Sequence, residues 1–318
     1  MKVAFVGCGQ AMLRHREHLV GMDDVQCVGY CDDDQDRAAD MAARFGGEAF
    51  THHEAMYDKV RPEAVYVTVP PFARGCIEAS AAERGIHLFV EKPVALDRSQ
   101  SKAVTAAISK TKVLNSVGYC LRYNDAINKA RNYLKGKSVS LVTGRWIEPL
   151  SDQWWWRRLD KSGGQMMVQT THMVDLVRYL CGDFAEVYAA PSTGCMSKVK
   201  DYDIHDSSVL AFRLKNGAVG SITSSCVSRH RARTSLEITT PEATVRITHD
   251  EATIYEEGTT TSFFPQLDMY HEENRVFVES VRAGKRIGIK SSYRDATRTF
   301  MVTCAANESM HSGLPVKP

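Results

Sequence analysis

The feature that most constrains this chain is the alternation of short apolar runs with helical patterns through about its first 120 residues. Strand-like runs fall at 3–6, 25–31, 64–69, 86–90 and 113–116. Helical patterns occupy 11–20, 35–45, 73–84 and 98–109. The runs have strand length and are mostly apolar throughout, as expected of strands covered on both faces. Such alternation builds an α/β domain around a doubly wound parallel sheet. In that architecture ligands bind outside the carboxyl ends of the strands, so the residues following each run are where chemistry is expected.

The first of these ends carries Gly7-Cys8-Gly9-Gln10-Ala11-Met12, which follows a strand and opens a helix. The first two glycines permit a tight turn and close approach of backbone to a pyrophosphate, whose charge the helix N-terminus favours. The third position of the pattern is Met12 where a small residue is usual. Asp32 ends the second run about 20 residues further on, the spacing of the acid that binds a ribose 2′-hydroxyl. Asp33 and Asp34 follow, with no basic residue before Arg37. Three carboxylates repel a 2′-phosphate, so NAD is expected as cofactor ahead of NADP. Asp34 also suits a helix N-cap.

A fourth run, 86–90, ends at Glu91-Lys92-Pro93. Pro93 lacks a backbone N–H and restricts its predecessor to extended geometry, so the strand stops there. Lys92 is thereby left at a strand mouth, where an ammonium can act as acid, base or oxyanion stabiliser.

The pattern changes after Tyr123. A helix at 125–134, a strand at 138–146 and a helix at 166–180 lead into strands at 208–214, 218–224, 235–239 and 243–247. Asn216-Gly217 is a two-residue hairpin signal. This half reads as an α+β domain with an open, mainly antiparallel sheet, and helices at 270–283 and 293–312 close the chain. The expected division is 1–122 and 123–318, with the last helix packing back on the first domain. On the 166–180 helix, Val168, His172 and Asp175 share a face. Asp175 reads as a structural ion-pair partner. Trp154-Trp155-Trp156-Arg157-Arg158 gathers three of the four tryptophans. Of these, Trp155 and Trp156 are candidates for stacking on sugar C–H faces.

Hydrophobic residues make up 43% of the 318 and charged residues 25%, an ordinary globular balance, and the net charge is +2. Near-neutrality argues against nucleic acid and anionic membrane as partners. No apolar run approaches the roughly 20 residues of a membrane span. The chain enters a strand at once, so no signal peptide is expected and a cytoplasmic location is. The nine cysteines are scattered and mostly lie in apolar segments, which suits reduced, buried thiols. His15, His18, His52 and His53 read as exposed helix residues, and no metal is expected.

Taken together, the residues at Gly7-Cys8-Gly9, Val69-Pro70-Pro71, Glu91-Lys92-Pro93 and Ser162-Gly163-Gly164-Gln165 through Asp175 resemble the glucose–fructose oxidoreductase / inositol dehydrogenase / rhizopine-catabolism (Gfo/Idh/MocA) family. Phe212, Asn216-Gly217 and the closing Ala305-Ala306-Asn307-Glu308-Ser309 extend the resemblance over essentially the whole chain. It implies a Rossmann domain followed by an α/β domain whose open sheet mediates homodimers or homotetramers. Gly7, Gly9, Gln10, Ala11, Met12, Asp32, Pro70, Glu91 and Lys92 would then meet the cofactor. Lys92 and His172 would assist removal of a proton from a sugar or polyol hydroxyl. Tyr119, Arg122, Trp155, Trp156, Gln169 and His172 are the substrate candidates. The chain departs from the family at Val168, where an acid is frequent, at Arg74, where a histidine is common, and at Met12. The leading expectation is an NAD-dependent dehydrogenase acting on CH–OH groups. Two alternatives are a dinucleotide-binding sensor and an eliminase or glycosidase that uses NAD transiently.

Overall fold

The computed structural model describes residues 1–74, 76–228 and 234–318. They form two compact units, Met1–Cys120 with Asp268–Thr297, and Leu121–Leu267 with Arg298–Pro318.

The first unit is built on six parallel strands: β1 (Lys2–Val6), β2 (Gln26–Cys31), β3 (Glu48–Phe50), β4 (Ala64–Val67), β5 (His87–Val90) and β6 (Asn115–Val117). Their order is β3-β2-β1-β4-β5-β6, so the chain winds outward to β3 and then crosses to the other side of β1. The connections are α1 (Gln10–Leu19), α2 (Gln35–Phe45), α3 (His53–Val60), α4 (Ile77–Glu83) and α5 (Arg98–Thr111). Asp34 and Asp97 cap α2 and α5 by accepting from Arg37 N–H and Gln100 N–H. Residue 75, inside the helix expected at 73–84, lies outside the described residues.

A later helix, α10 (Met269–Arg282), completes this core. Its Phe277 meets Tyr66 at 5.6 Å and Phe89 at 5.5 Å, while Tyr66 stacks on Phe89 at 4.7 Å. Aromatic packing of this kind contributes beyond area alone. The unit therefore includes a segment that the sequence expectation placed wholly in 123–318. The division runs inside α11 (Tyr293–Ser312), whose first turn belongs to the first unit and whose remainder belongs to the second.

The second unit carries α6 (Asp125–Leu134), the short helices α7 (Leu159–Ser162) and α8 (Gln165–Val168), and α9 (Thr171–Cys181). Its eight strands are β7 (Leu141–Ile147), β8 (Phe184–Ser192), β9 (Ser207–Leu214), β10 (Val219–Ser225), β11 (Ser235–Thr239), β12 (Ala243–Thr248), β13 (Ala252–Glu256) and β14 (Thr259–Phe263). The order is β14-β13-β12-β11-β7-β10-β9-β8, antiparallel except where β7 meets β10. The Asn216-Gly217 hairpin joins β9 to β10, with Leu214 N–H donating to Ala218 O. Val142, Val174, Val177, Leu210, Ile222 and Leu236 form part of the buried core.

The helix expected across 166–180 is interrupted. The N–H of Gln169 and that of Thr170 both donate to Gln165 O, at 3.0 Å each, so the ladder slips by one residue. Gln169 leaves ideal helical geometry (φ −117°), and α9 restarts at the β-branched Thr171. Val168 and His172 therefore do not lie on one continuous helical face.

Asp175 is the buried anchor of α9. It accepts from Arg122 Nε at 2.7 Å and Nη2 at 2.6 Å, and from Thr299 Oγ1 at 2.7 Å. Arg122 and Asp175 are both almost fully buried. Asp175→Ala leaves the Arg122 cation without this bidentate partner in a dry interior. It is expected to lower stability by about 3–5 kcal/mol, measured by denaturant unfolding.

Candidate active site

The carboxyl edge of the first sheet gathers the expected dinucleotide groups. Gly7 has φ +97°, and a Cβ there would lie 2.6 Å from Val69 N, so the ends of β1 and β4 touch only because this residue has no side chain. Thr68 Oγ1 donates to Gly7 O at 2.7 Å, fixing the turn. Gly9 is the N-cap of α1, has no side-chain cap, and a Cβ there would meet nothing within 4 Å. The start of α1 thus has open space beside Gly9 and no acidic residue in its first turn, which fits a pyrophosphate. Gln10 is exposed, Ala11 is partly buried and Met12 is fully buried, so the larger third residue of the turn is absorbed into the core.

Asp32 is buried at the tip of β2. Its Oδ2 accepts from Cys8 N–H at 2.8 Å, and its Oδ1 accepts from Asp34 N–H and Arg37 Nη1, both at 3.1 Å. Arg37 also bonds Asp34 Oδ2 at 3.2 Å. The first basic residue after the acidic triplet therefore folds back onto it, a pairing the sequence spacing did not disclose. Burial pushes the neighbouring Cys8 and Cys31 thiols up to about 12, with Asp32 adding to both, so these two remain protonated. All nine cysteines are free; Cys76 and Cys195 are exposed, unlike the buried thiols expected. Cys76 Sγ lies 3.8 Å from His53 Nε2, and Glu54 stands beside them, a group of three potential metal ligands on the surface.

Lys92 follows β5 by two residues and is partly buried; its peptide bond to Pro93 is cis. Burial lowers its ammonium pKa, opposed by Glu91 and Cys120 and reinforced by Arg14 and Arg74. A lysine so placed gives up its proton more readily than an exposed one. Glu91 is held at both oxygens: Oε2 accepts from Lys92 N–H at 3.0 Å and Oε1 lies 3.1 Å from His15 Nε2. Gly118 leaves room for this carboxylate, since a Cβ there would be 3.2 Å from it. His15, expected to be exposed, is fully buried on the face of α1 that also carries Met12 and Leu19. Its ring packs against Phe89 at 4.6 Å, and Asn274 Nδ2 lies 3.1 Å from Nδ1. With Nε2–H directed at Glu91, Nδ1 can accept from Asn274 Nδ2, which satisfies both partners. Pro70 precedes a short turn at Pro71–Ala73, and Tyr119 is buried after β6.

In the second unit, His172 is partly buried on α9 and stacks on Trp146 of β7 at 5.5 Å and 18°. Trp146 in turn lines a cavity of about 550 Å³ with Met173, Glu148, Arg246 and Phe264. Neither Trp146 nor this cavity was singled out from sequence, because the strand pattern marks Trp146 only as one more large residue. Gln169 sits at the break after α8 and is buried, as is Val168. Trp155 and Trp156 lie together in a short turn, rings 5.4 Å apart and partly exposed. Arg122 is drawn into the ion pair with Asp175.

Two family models match this chain. Residues 1–119 match "oxidoreductase family, NAD-binding Rossmann fold", and residues 137–246 match the Gfo/Idh/MocA C-terminal domain. Similar proteins include scyllo-inositol 2-dehydrogenase (NAD(+)) of Bacillus subtilis, 26% identical over all of this chain and 96% of that one. Another is myo-inositol 2-dehydrogenase of Thermotoga maritima, 23% identical over all of this chain and 98% of its own length. Among solved structures, levoglucosan dehydrogenase with NADH and L-sorbose superposes with a TM-score of 0.88 at 21% identity, covering 100% of this chain and 98% of the other. The chain belongs to the Gfo/Idh/MocA family of oxidoreductases, and NAD is its cofactor. Among the described residues no helix is long and apolar enough to cross a membrane.

One buried group beside Lys92's neighbours makes a pH-dependent difference to stability. Glu273 of α10 is fully buried, and burial, then Glu91, hold its carboxyl well above the usual range. The folded state therefore keeps a proton that the unfolded chain releases, so stability falls as pH rises above the unfolded carboxyl pKa. Glu273→Gln is expected to reduce that slope and to be more stable than wild type at neutral pH, measured by urea unfolding from acid to neutral pH.

Proposed function

We propose that this protein is an NAD-dependent dehydrogenase that oxidises a CH–OH group of a sugar, polyol or related cyclic compound, with Lys92 and His172 as its proton-transfer groups. The observation that carries this reading is the placement of Lys92, two residues beyond β5 at the carboxyl edge of the same sheet that carries the dinucleotide turn, with its ammonium destabilised by burial. NAD, when bound, accepts hydride from the carbon that carries the hydroxyl. Lys92 accepts or relays the hydroxyl proton, a role that needs the amine neutral. His172, held flat against Trp146, is the proton-transfer candidate among the second unit's residues. Gly7, Gly9, Gln10, Ala11, Met12, Asp32, Pro70 and Glu91 form the cofactor side, and the buried Asp32 carboxylate favours NAD over NADP. Tyr119 and Gln169 position substrate, and Trp155 and Trp156 offer aromatic faces to it. Arg122 acts through Asp175 to hold α9. The 550 Å³ cavity, with one aromatic wall and several polar groups, suits a ring bearing hydroxyls.

In this reading the first domain binds the dinucleotide and the second binds substrate and joins subunits through its open sheet. Leu141, Val209, Val219 and Tyr188 are exposed on its strands and support a homodimer or homotetramer. A cytoplasmic location agrees with nine free thiols. The relatives' names, inositol and levoglucosan dehydrogenases, support a polyol or sugar as substrate. A second reading, a ligand sensor that binds NAD without turnover, is favoured by Val168, the apolar residue at the position where relatives often carry an acid.

A panel of sugars, inositols and their oxidised forms separates the two: the enzyme produces NADH absorbance with at least one, whereas the sensor binds without it. With the productive substrate, Lys92→Ala and His172→Ala are each expected to lower kcat about 10²- to 10⁴-fold. Wild-type turnover in Lys92→Ala would rule out its assigned role. In the oxidation direction kcat is expected to rise with pH through the Lys92 titration, because only the neutral amine takes the proton.

A further inference from the structure

Arg74 follows the short turn after β4, and the structure puts its guanidinium to an unusual use. The side chain is almost completely buried, as is that of Glu78, whose Oε1 lies 3.6 Å from Arg74 Nε. Nη1 donates to Pro93 O, and Nη2 donates to Glu91 O at 2.5 Å and to Val69 O at 3.4 Å. One planar group thus grips the carbonyls on both sides of Lys92 and reaches the start of the loop after β4.

Burying a guanidinium is costly, and an apolar replacement of similar volume is often neutral or stabilising. Stability alone is therefore a poor reason for an arginine here. The paired residues of β5 end at Val90, and just past them the guanidinium donates to Glu91 O and Pro93 O. A rigid fork that spans two acceptors fixes the backbone between them, and a lysine ammonium on a flexible stem lacks that planar fork. Displacement of a reacting group by even 1 Å is costly to rate.

We propose that Arg74 is a positioning residue for Lys92, clamping the two carbonyls that flank it so that its side chain leaves the edge of the sheet in one direction. This rests on the reading of Lys92 as a proton-transfer group. The clamp also acts electrostatically. The charged and titratable groups that face Lys92 are Glu91, Cys120, Arg14 and Arg74. The two arginines favour the neutral amine, Glu91 and Cys120 favour the ammonium, and burial outweighs each of them. Removing the Arg74 charge therefore moves the Lys92 titration to higher pH.

The test compares full-length wild type, Arg74→Gln, Arg74→Lys and Lys92→Ala. Thermal melts and NAD binding establish that each is folded. Two readouts follow: kcat against pH with a productive substrate, and acetylation of Lys92 by acetic anhydride across pH, followed by mass spectrometry of its peptide. Arg74→Gln is expected to lower kcat roughly 10- to 100-fold and to shift both the kcat limb and the acetylation midpoint to higher pH. Arg74→Lys keeps the charge and loses the fork, so kcat falls while both midpoints stay near wild type. A folded Arg74→Gln with wild-type kcat and an unmoved acetylation midpoint overturns the proposal. If Arg74→Gln does not fold, wild-type kcat in Arg74→Lys overturns it instead. Full turnover in Lys92→Ala sinks the Lys92 reading itself. Loss of turnover there, with both Arg74 variants unchanged, sinks only the clamp.

Discussion

The contact between Gly7 and the backbone of Val69 is the constraint on which the first unit's chemistry depends. It lies where the strand order reverses, between β1 and β4, so the chain leaves the sheet in opposite directions on its two sides. Because no side chain intervenes, the turn after β1 and the loop after β4 are pressed together, with the uncapped start of α1 beside them. Asp32 is tied to that same turn through Cys8 N–H, and Arg74 ties the loop after β4 to the backbone around Lys92. Groups from four strand ends are in this way linked by hydrogen bonds into one edge, and each can be placed only if the others are.

The second unit solves a different problem. An open sheet carries one covered face, and the helix bearing His172 has to be held over it. The break between α8 and α9 allows this, because the slip at Gln169 and Thr170 turns α9 independently of the residues before it. Asp175, bonded to Arg122 and Thr299, then fixes the helix one turn beyond His172. A charged pair in a dry interior is an expensive anchor, but its bidentate geometry allows only one orientation.

Local pattern carried much of this into the sequence. Strand–helix alternation, the glycine turn, Asp32 and Lys92 are each signalled by residues close in the chain, and the parallel sheet follows from them. What escaped was set by distant partners. His15 looks like a solvent-facing helix residue until Asn274, more than two hundred positions later, and Glu91 bury it. The pairing of Arg37 with Asp32 needs a side-chain rotamer, and the helix break at Gln169 needs a backbone slip, neither of which leaves a periodic trace. The strands β3, β13 and β14 are short or rich in polar and exposed residues, so their pattern is faint. The carbonyl clamp at Arg74 was invisible for the same reason: its partners are backbone atoms, which every residue has.

The assignment of α10 to the first unit has a consequence for how the chain is made. The ring of Phe277 and the amide of Asn274 complete a core whose other members, Phe89, Tyr66 and His15, emerge from the ribosome far earlier. During synthesis that apolar face stays uncovered until Met269–Arg282 has been added, by which time the strands of the second unit have all appeared. The strands of the dinucleotide-binding half precede those of the second unit yet are among the last parts to close, which makes the nascent chain, rather than the finished protein, the form most in need of a chaperone.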